Sequence, residues 1–106
     1  IDELKALLKT YDREISALSC HGNPVHPDKA VAAEYHRVFV NTCKLAQKLG
    51  VDTIVTFSGC PGDSPDSHYP NWVTCAWPDD YPKILDYQLE RGGKDRRELR
   101  GAAHRL

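Results

Sequence analysis

Two short runs hold the side chains best suited to chemistry. Ser19-Cys20-His21-Gly22-Asn23 closes one apolar stretch, and Phe57-Ser58-Gly59-Cys60 closes another. His21 and Asn23 bring an imidazole and an amide, both able to bond a hydroxyl or carbonyl oxygen, and Ser58 brings a hydroxyl. Gly59 lets a backbone come close to whatever binds. In a strand–helix–strand unit with parallel strands, the carboxyl ends of both strands face one side. His21, Asn23, Ser58 and Gly59 are therefore expected on one rim, the usual setting of a small-molecule site.

Other reactive groups are less organised. Cys20, Cys43, Cys60 and Cys75 form no Cys-x-x-Cys pair, which argues against a zinc ribbon or a thioredoxin-type centre. Cys20, His21, Cys60 and His68 are acceptable zinc ligands by type, but their spacing matches no zinc pattern. Cys60 has no evident base nearby to make it a nucleophile. His26, His36, His68 and His104 read as surface groups. With no secretion signal at the amino end, the thiols are expected in a reducing cytoplasm.

The elements that must position the rim follow from periodicity. Residues 2–11 read as a helix with Ile1, Leu4, Leu7, Leu8 and Tyr11 at helical spacing on one face, and residues 14–20 as a strand. The segment 27–49 is a long amphipathic helix. It opens at Pro27 and Asp28, carries Val31, Tyr35, Val38, Phe39, Thr42, Leu45, Ala46 and Leu49 on its apolar face, and stops at Gly50. Val51–Phe57 is rich in β-branched residues and reads as a second strand. A long loop follows, and two roles are open to its Trp72 and Trp77: lining a pocket, or pinning the loop to the body. Asp79 or Asp80 then caps a third helix, with Tyr81, Ile84, Leu85 and Leu89 on its buried face and a break expected at Arg91-Gly92-Gly93.

Composition bounds the rest. The chain has 106 residues, 41% of them hydrophobic, and a formal net charge of -1. No apolar run approaches the ~20 residues of a membrane helix. Residues 91–106 carry six Arg or Lys against two acids. The sequence thus divides into a body, 1–90, and a basic tail, 91–106, that is either a solvated, poorly ordered end or foreign to the rest through a frameshift or a misassigned segment. An acidic body with a basic tail does not fit a nucleic-acid-binding face. The absence of Met leads to the expectation that the chain lies inside a longer gene product.

The segments Ser19-Cys20-His21-Gly22-Asn23-Pro24-Val25-His26-Pro27 and Val55-Thr56-Phe57-Ser58-Gly59-Cys60-Pro61-Gly62, with Leu45–Thr53 between them and Asn71-Trp72 after them, resemble the xylose isomerase-like TIM-barrel superfamily. Within it they look most like the sugar phosphate isomerase/epimerase branch. The resemblance covers roughly residues 1–88. It implies an α/β fold of parallel β/α units forming part of a (β/α)8 barrel, incomplete at this length. It implies proton transfer next to a carbonyl of a ketose or aldose. A divalent metal (Mn, Mg, Zn or Co) would serve the complete barrel, and this chain alone would hold none. The family's metal ligands and acid–base glutamates come from later strands and have no counterpart in residues 1–106. Carried onto this sequence, His21, Asn23, Ser58, Gly59 and Trp72 become a substrate-binding wall for a small sugar or sugar phosphate. Phosphate recognition stays open: Gly59 and Gly62 are placed to present N–H groups, but no Lys or Arg lies beside them in sequence. A different class is a non-catalytic half-barrel-like binding module that oligomerises through open sheet edges.

Overall fold

A computed structural model describes residues 1–76 and 79–105. Trp77, Pro78 and Leu106 lie outside the described residues, and with Trp77 the two roles open to it. The element order is α1 (Asp2–Thr10), β1 (Leu18–Cys20), α2 (Lys29–Leu49), β2 (Ile54–Thr56) and α3 (Tyr81–His104). About half of the chain is helical, and the described residues include just two strands, each three residues long. The strands pair in parallel, Leu18 with Ile54, Ser19 with Val55 and Cys20 with Thr56.

This overturns the expectation of repeated β/α units forming part of a barrel. One β1–α2–β2 crossover is present, and after β2 the chain turns into a loop and a helix with no further strand among the described residues. The physical reason lies in the pairing. A two-stranded ladder satisfies backbone groups only where both strands run side by side, so the apolar runs 14–20 and 51–57 condense to the three residue pairs that meet.

The long central helix forms as its pattern requires. Asp28, expected in the first turn, is instead the N-cap, its carboxylate accepting from the Ala30 N–H at 2.8 Å and the Val31 N–H at 3.4 Å. Gly50 ends α2 in the left-handed region at φ 73°. The buried stripe is Phe39, Cys43 and Ala46. Val38 and Leu45, expected on the apolar face, are 37% and 41% exposed, because the stripe that meets the sheet is narrower than the apolar face. Cys20, Phe39, Cys43 and Leu99 make the core, with Ile54 packed against it.

The third helix differs most from its expected bounds. It passes through Arg91-Gly92-Gly93 without a break and reaches His104. Each glycine costs a helix ~1 kcal/mol against alanine, and tertiary packing offsets this. Gln88, Asp95 and Leu99 are buried at helical spacing along one face, and a Lys94–Glu90 pair at 2.7 Å spans the glycines. Residues 91–104, expected as a tail, are thereby docked on α2 and the core.

The molecule is elongated, 59 × 24 × 20 Å. Helix α1 buries no residue fully, and Leu4, Leu7 and Tyr11 stay exposed. Val55 in β2 and Phe57 just after it are 46% and 55% exposed. Among the described residues no helix is long and apolar enough to cross a membrane.

Candidate functional site

Parallel pairing brings the ends of β1 and β2 together, and Asn23 locks them. Its Nδ2 donates to the Cys60 carbonyl at 2.9 Å, and the Cys60 N–H donates to its Oδ1 at 2.8 Å. The amide thus acts like a backbone segment, joining two loops 37 residues apart in sequence. Gly59, at φ 82°, makes the turn beneath it. A Cβ there would stand 2.5 Å from Asn23 Oδ1 and 2.7 Å from Val25 Cγ2, so the site requires glycine.

A cleft of about 410 Å³ opens over this joint, lined by Asn23, Phe57, Ser58, Gly59, Cys60 and Trp72 together with Gly22 and Pro70. Four of the five residues expected on a substrate wall (Asn23, Ser58, Gly59 and Trp72) therefore share one cavity. The fifth, His21, lies outside the lining and stacks on Phe57, ring centroids 4.4 Å apart and planes 20° from parallel. Burial pushes the Cys60 thiol above its ordinary range, so it is a poor thiolate source at neutral pH.

Sequence reasoning missed the residues that hold this wall from behind. Gln88 is fully buried. Its Nε2 donates to the carbonyls of Gly62 at 2.8 Å and Asn71 at 2.9 Å, while its Oε1 accepts the Val73 N–H at 3.1 Å. One side chain fastens both ends of the loop that carries Trp72. The only hint in the sequence is a glutamine at a position where the helical stripe called for an apolar residue. Two of the loop's amides are engaged internally. The N–H groups after Gly59 and Gly62 donate to Asn23 and to Ser67 Oγ respectively, leaving neither free for an anion.

His36, read as a surface group, is half-buried and pairs with Asp95 at 2.9 Å, its Nε2 also lying 3.1 Å from the Pro24 carbonyl. A carbonyl only accepts, so Nε2 carries the proton and is shared between the two oxygens. This contact fastens the loop after β1 to α3. Asp95 Oδ2 is buried with no partner among the described residues. Burial, and secondarily Glu98, pushes the Asp95 carboxyl above the usual aspartate range, against the pull of His36 and Arg91. A carboxyl that holds its proton more tightly when folded stabilises the fold most below its ordinary value of 3.8, and that contribution fades as pH rises through the folded value. In thermal melts from pH 8 down to pH 4, the midpoint of the native protein is therefore expected to gain on that of Asp95→Asn as pH falls, by roughly a few degrees. A difference that does not change with pH would contradict this reading of Asp95.

No protein-family model matches the chain, and no solved structure matches it. It is similar to the uncharacterized protein YfiH of Bacillus subtilis (strain 168), 34% identical over 90 residues that cover 83% of this chain and 28% of that protein. The chain thus spans less than a third of the length of the curated relative it matches.

Proposed function

We propose that this chain supplies the substrate-binding wall of a sugar or sugar-phosphate isomerase or epimerase. The observation that carries the reading is the Asn23–Cys60 joint, which gathers amide, hydroxyl and backbone groups into a cleft that Trp72 also lines. Carbohydrates present hydroxyl edges and apolar C–H faces, and a site with convergent polar groups and an aromatic wall suits both. The resemblance in the two strand ends points the same way.

Moving a proton between carbons next to a carbonyl needs a base and a group that stabilises the developing oxyanion. Among the described residues no carboxylate lines this cleft. Among the described residues no group of three or more His, Cys, Asp or Glu is arranged to hold a metal ion. The residues present therefore do not fit the family's metal. In this proposal the role of the chain is to bind and orient, and the acid–base carboxylates belong to other parts of a longer protein. The 28% coverage of the relative leaves room for them.

The expected result is saturable quenching or enhancement of tryptophan fluorescence by a neutral ketose or aldose, lost in Trp72→Phe. With added Mn²⁺ or Mg²⁺ the chain alone is expected to give no interconversion of the sugars. Turnover by the purified chain would contradict the division of labour, and an absence of saturable binding would contradict the wall.

The exposed Val55 and Phe57 favour a second reading, a non-catalytic binding module that assembles through its open sheet. Sedimentation separates the two: a stable oligomer that binds no sugar supports the module, and a sugar-binding monomer excludes it.

A further inference from the structure

A second cleft shares Phe57 and Ser58 with the first. Helix α3 passes alongside β2, with Gly92 beside the Ser58 carbonyl and Leu99 packed in the core with Ile54. The cleft between them encloses about 480 Å³, inside the range of small-molecule sites. Its floor is apolar, with Phe39, Ile54 and Leu99, and Arg96 and Arg100 line its α3 side. These two are four residues apart on one helix, so they present adjacent guanidinium groups ~6 Å apart at the Cβ atoms. Neither takes part in an ion pair among the described residues. Thr56 and Ser58 line the strand side, and Asp52 is the single acid in the lining.

We infer that this cleft binds a small phosphate monoester with an apolar or aromatic body, the phosphate held by Arg96 and Arg100 and the body resting on Phe39, Ile54 and Leu99. The charge count favours a phosphate over a carboxylate. Two guanidinium forks match a dianion with three acceptor oxygens, whereas one fork already satisfies a carboxylate. The hydroxyls of Thr56 and Ser58 supply further donors. The glycine turns after β2, which from the sequence were the candidate anion site, have the amides that follow them engaged. The arginines that sequence order set far from β2 are the ones the fold brings to it. This inference does not depend on the sugar reading, since the two clefts share only Phe57 and Ser58.

The test is calorimetric titration with phenyl phosphate at low salt, comparing the native chain, R96Q/R100Q, and R97Q/R105Q. The last pair removes the same charge from outside the cleft. Glutamine is nearly as good a helix former as arginine, and far-UV circular dichroism checks that α3 persists. Should the double variant lose helix, R96Q and R100Q are compared singly. The expected result is saturable binding by the native chain, weakened about tenfold or more in R96Q/R100Q, and changed by about twofold or less in R97Q/R105Q. Phenylacetate is expected to bind several-fold more weakly than phenyl phosphate. Equal losses in the two double variants would reduce the effect to net charge and overturn the inference, as would an absence of saturable binding to the native chain.

Discussion

Replacing Gln88 by leucine is expected to release the loop that carries Trp72 and to lower stability by about 3 kcal/mol. The side chain is fully buried and serves three backbone groups: the Gly62 and Asn71 carbonyls and the Val73 N–H. Leucine fills similar space but satisfies none of them, and each buried group left unpaired costs ~1–3 kcal/mol. The total stays below the sum because the loop's outer face is exposed, and a released carbonyl can turn to water. Two measurements read the effect. Urea unfolding gives the loss of stability, and amide hydrogen exchange at Val73 shows whether protection disappears there first. If Q88L unfolds at the native denaturant midpoint with Val73 still protected, Gln88 does not anchor the loop.

The second large effect is expected at Gly59. Alanine there meets two costs. The left-handed backbone, φ 82°, is unfavourable for an L side chain by ~1–2 kcal/mol. The new Cβ would also stand 2.5 Å from Asn23 Oδ1 and 3.1 Å from Pro24 Cδ. Asn23 must then move, which breaks both of its bonds to Cys60, each worth ~1 kcal/mol. Gly59→Ala is accordingly expected to cost about 3 kcal/mol and to abolish ligand binding at the rim. Gly50→Ala provides the comparison, since φ is 73° but nothing lies within 4 Å of the added methyl. It should cost only ~1 kcal/mol, the backbone penalty alone. Equal losses from the two substitutions would mean that the Asn23 joint adds nothing to stability.

The residues that sequence logic could reach are those whose role is set by local pattern. Helix α2 and its Gly50 stop follow from spacing and from the need for a left-handed terminal residue. The shared rim follows from the rule that parallel strands end on one side, and Asn23, Ser58, Gly59 and Trp72 do line one cleft. The resemblance pointed to many β/α units, but the chain forms a single crossover with two three-residue strands. Residue type marks where a strand starts to be favourable, while the length of its partner decides how far pairing runs. Helix α3 runs past Glu90, where its sequence predicts a break, for a related reason. Its inward stripe runs Gln88, Gly92, Asp95, Leu99, in which only the last is apolar, so hydrophobic periodicity vanishes just where burial is strongest. Gln88 and Asp95 are held inside by partners 26 and 59 positions away, Gly62 and His36. No local signal carries information over that distance.

The central claim is that the Asn23-braced cleft recognises a sugar. Titrating the ¹⁵N-labelled chain with a neutral ketose tests it most directly, because an uncharged ligand gives Arg96 and Arg100 no reason to respond. The account predicts saturable amide shifts confined to Gly22, Asn23, Phe57 to Cys60 and the Trp72 indole N–H, and their loss in Asn23→Ala. Shifts that are absent, that do not saturate, that centre elsewhere, or that persist unchanged in Asn23→Ala would contradict it.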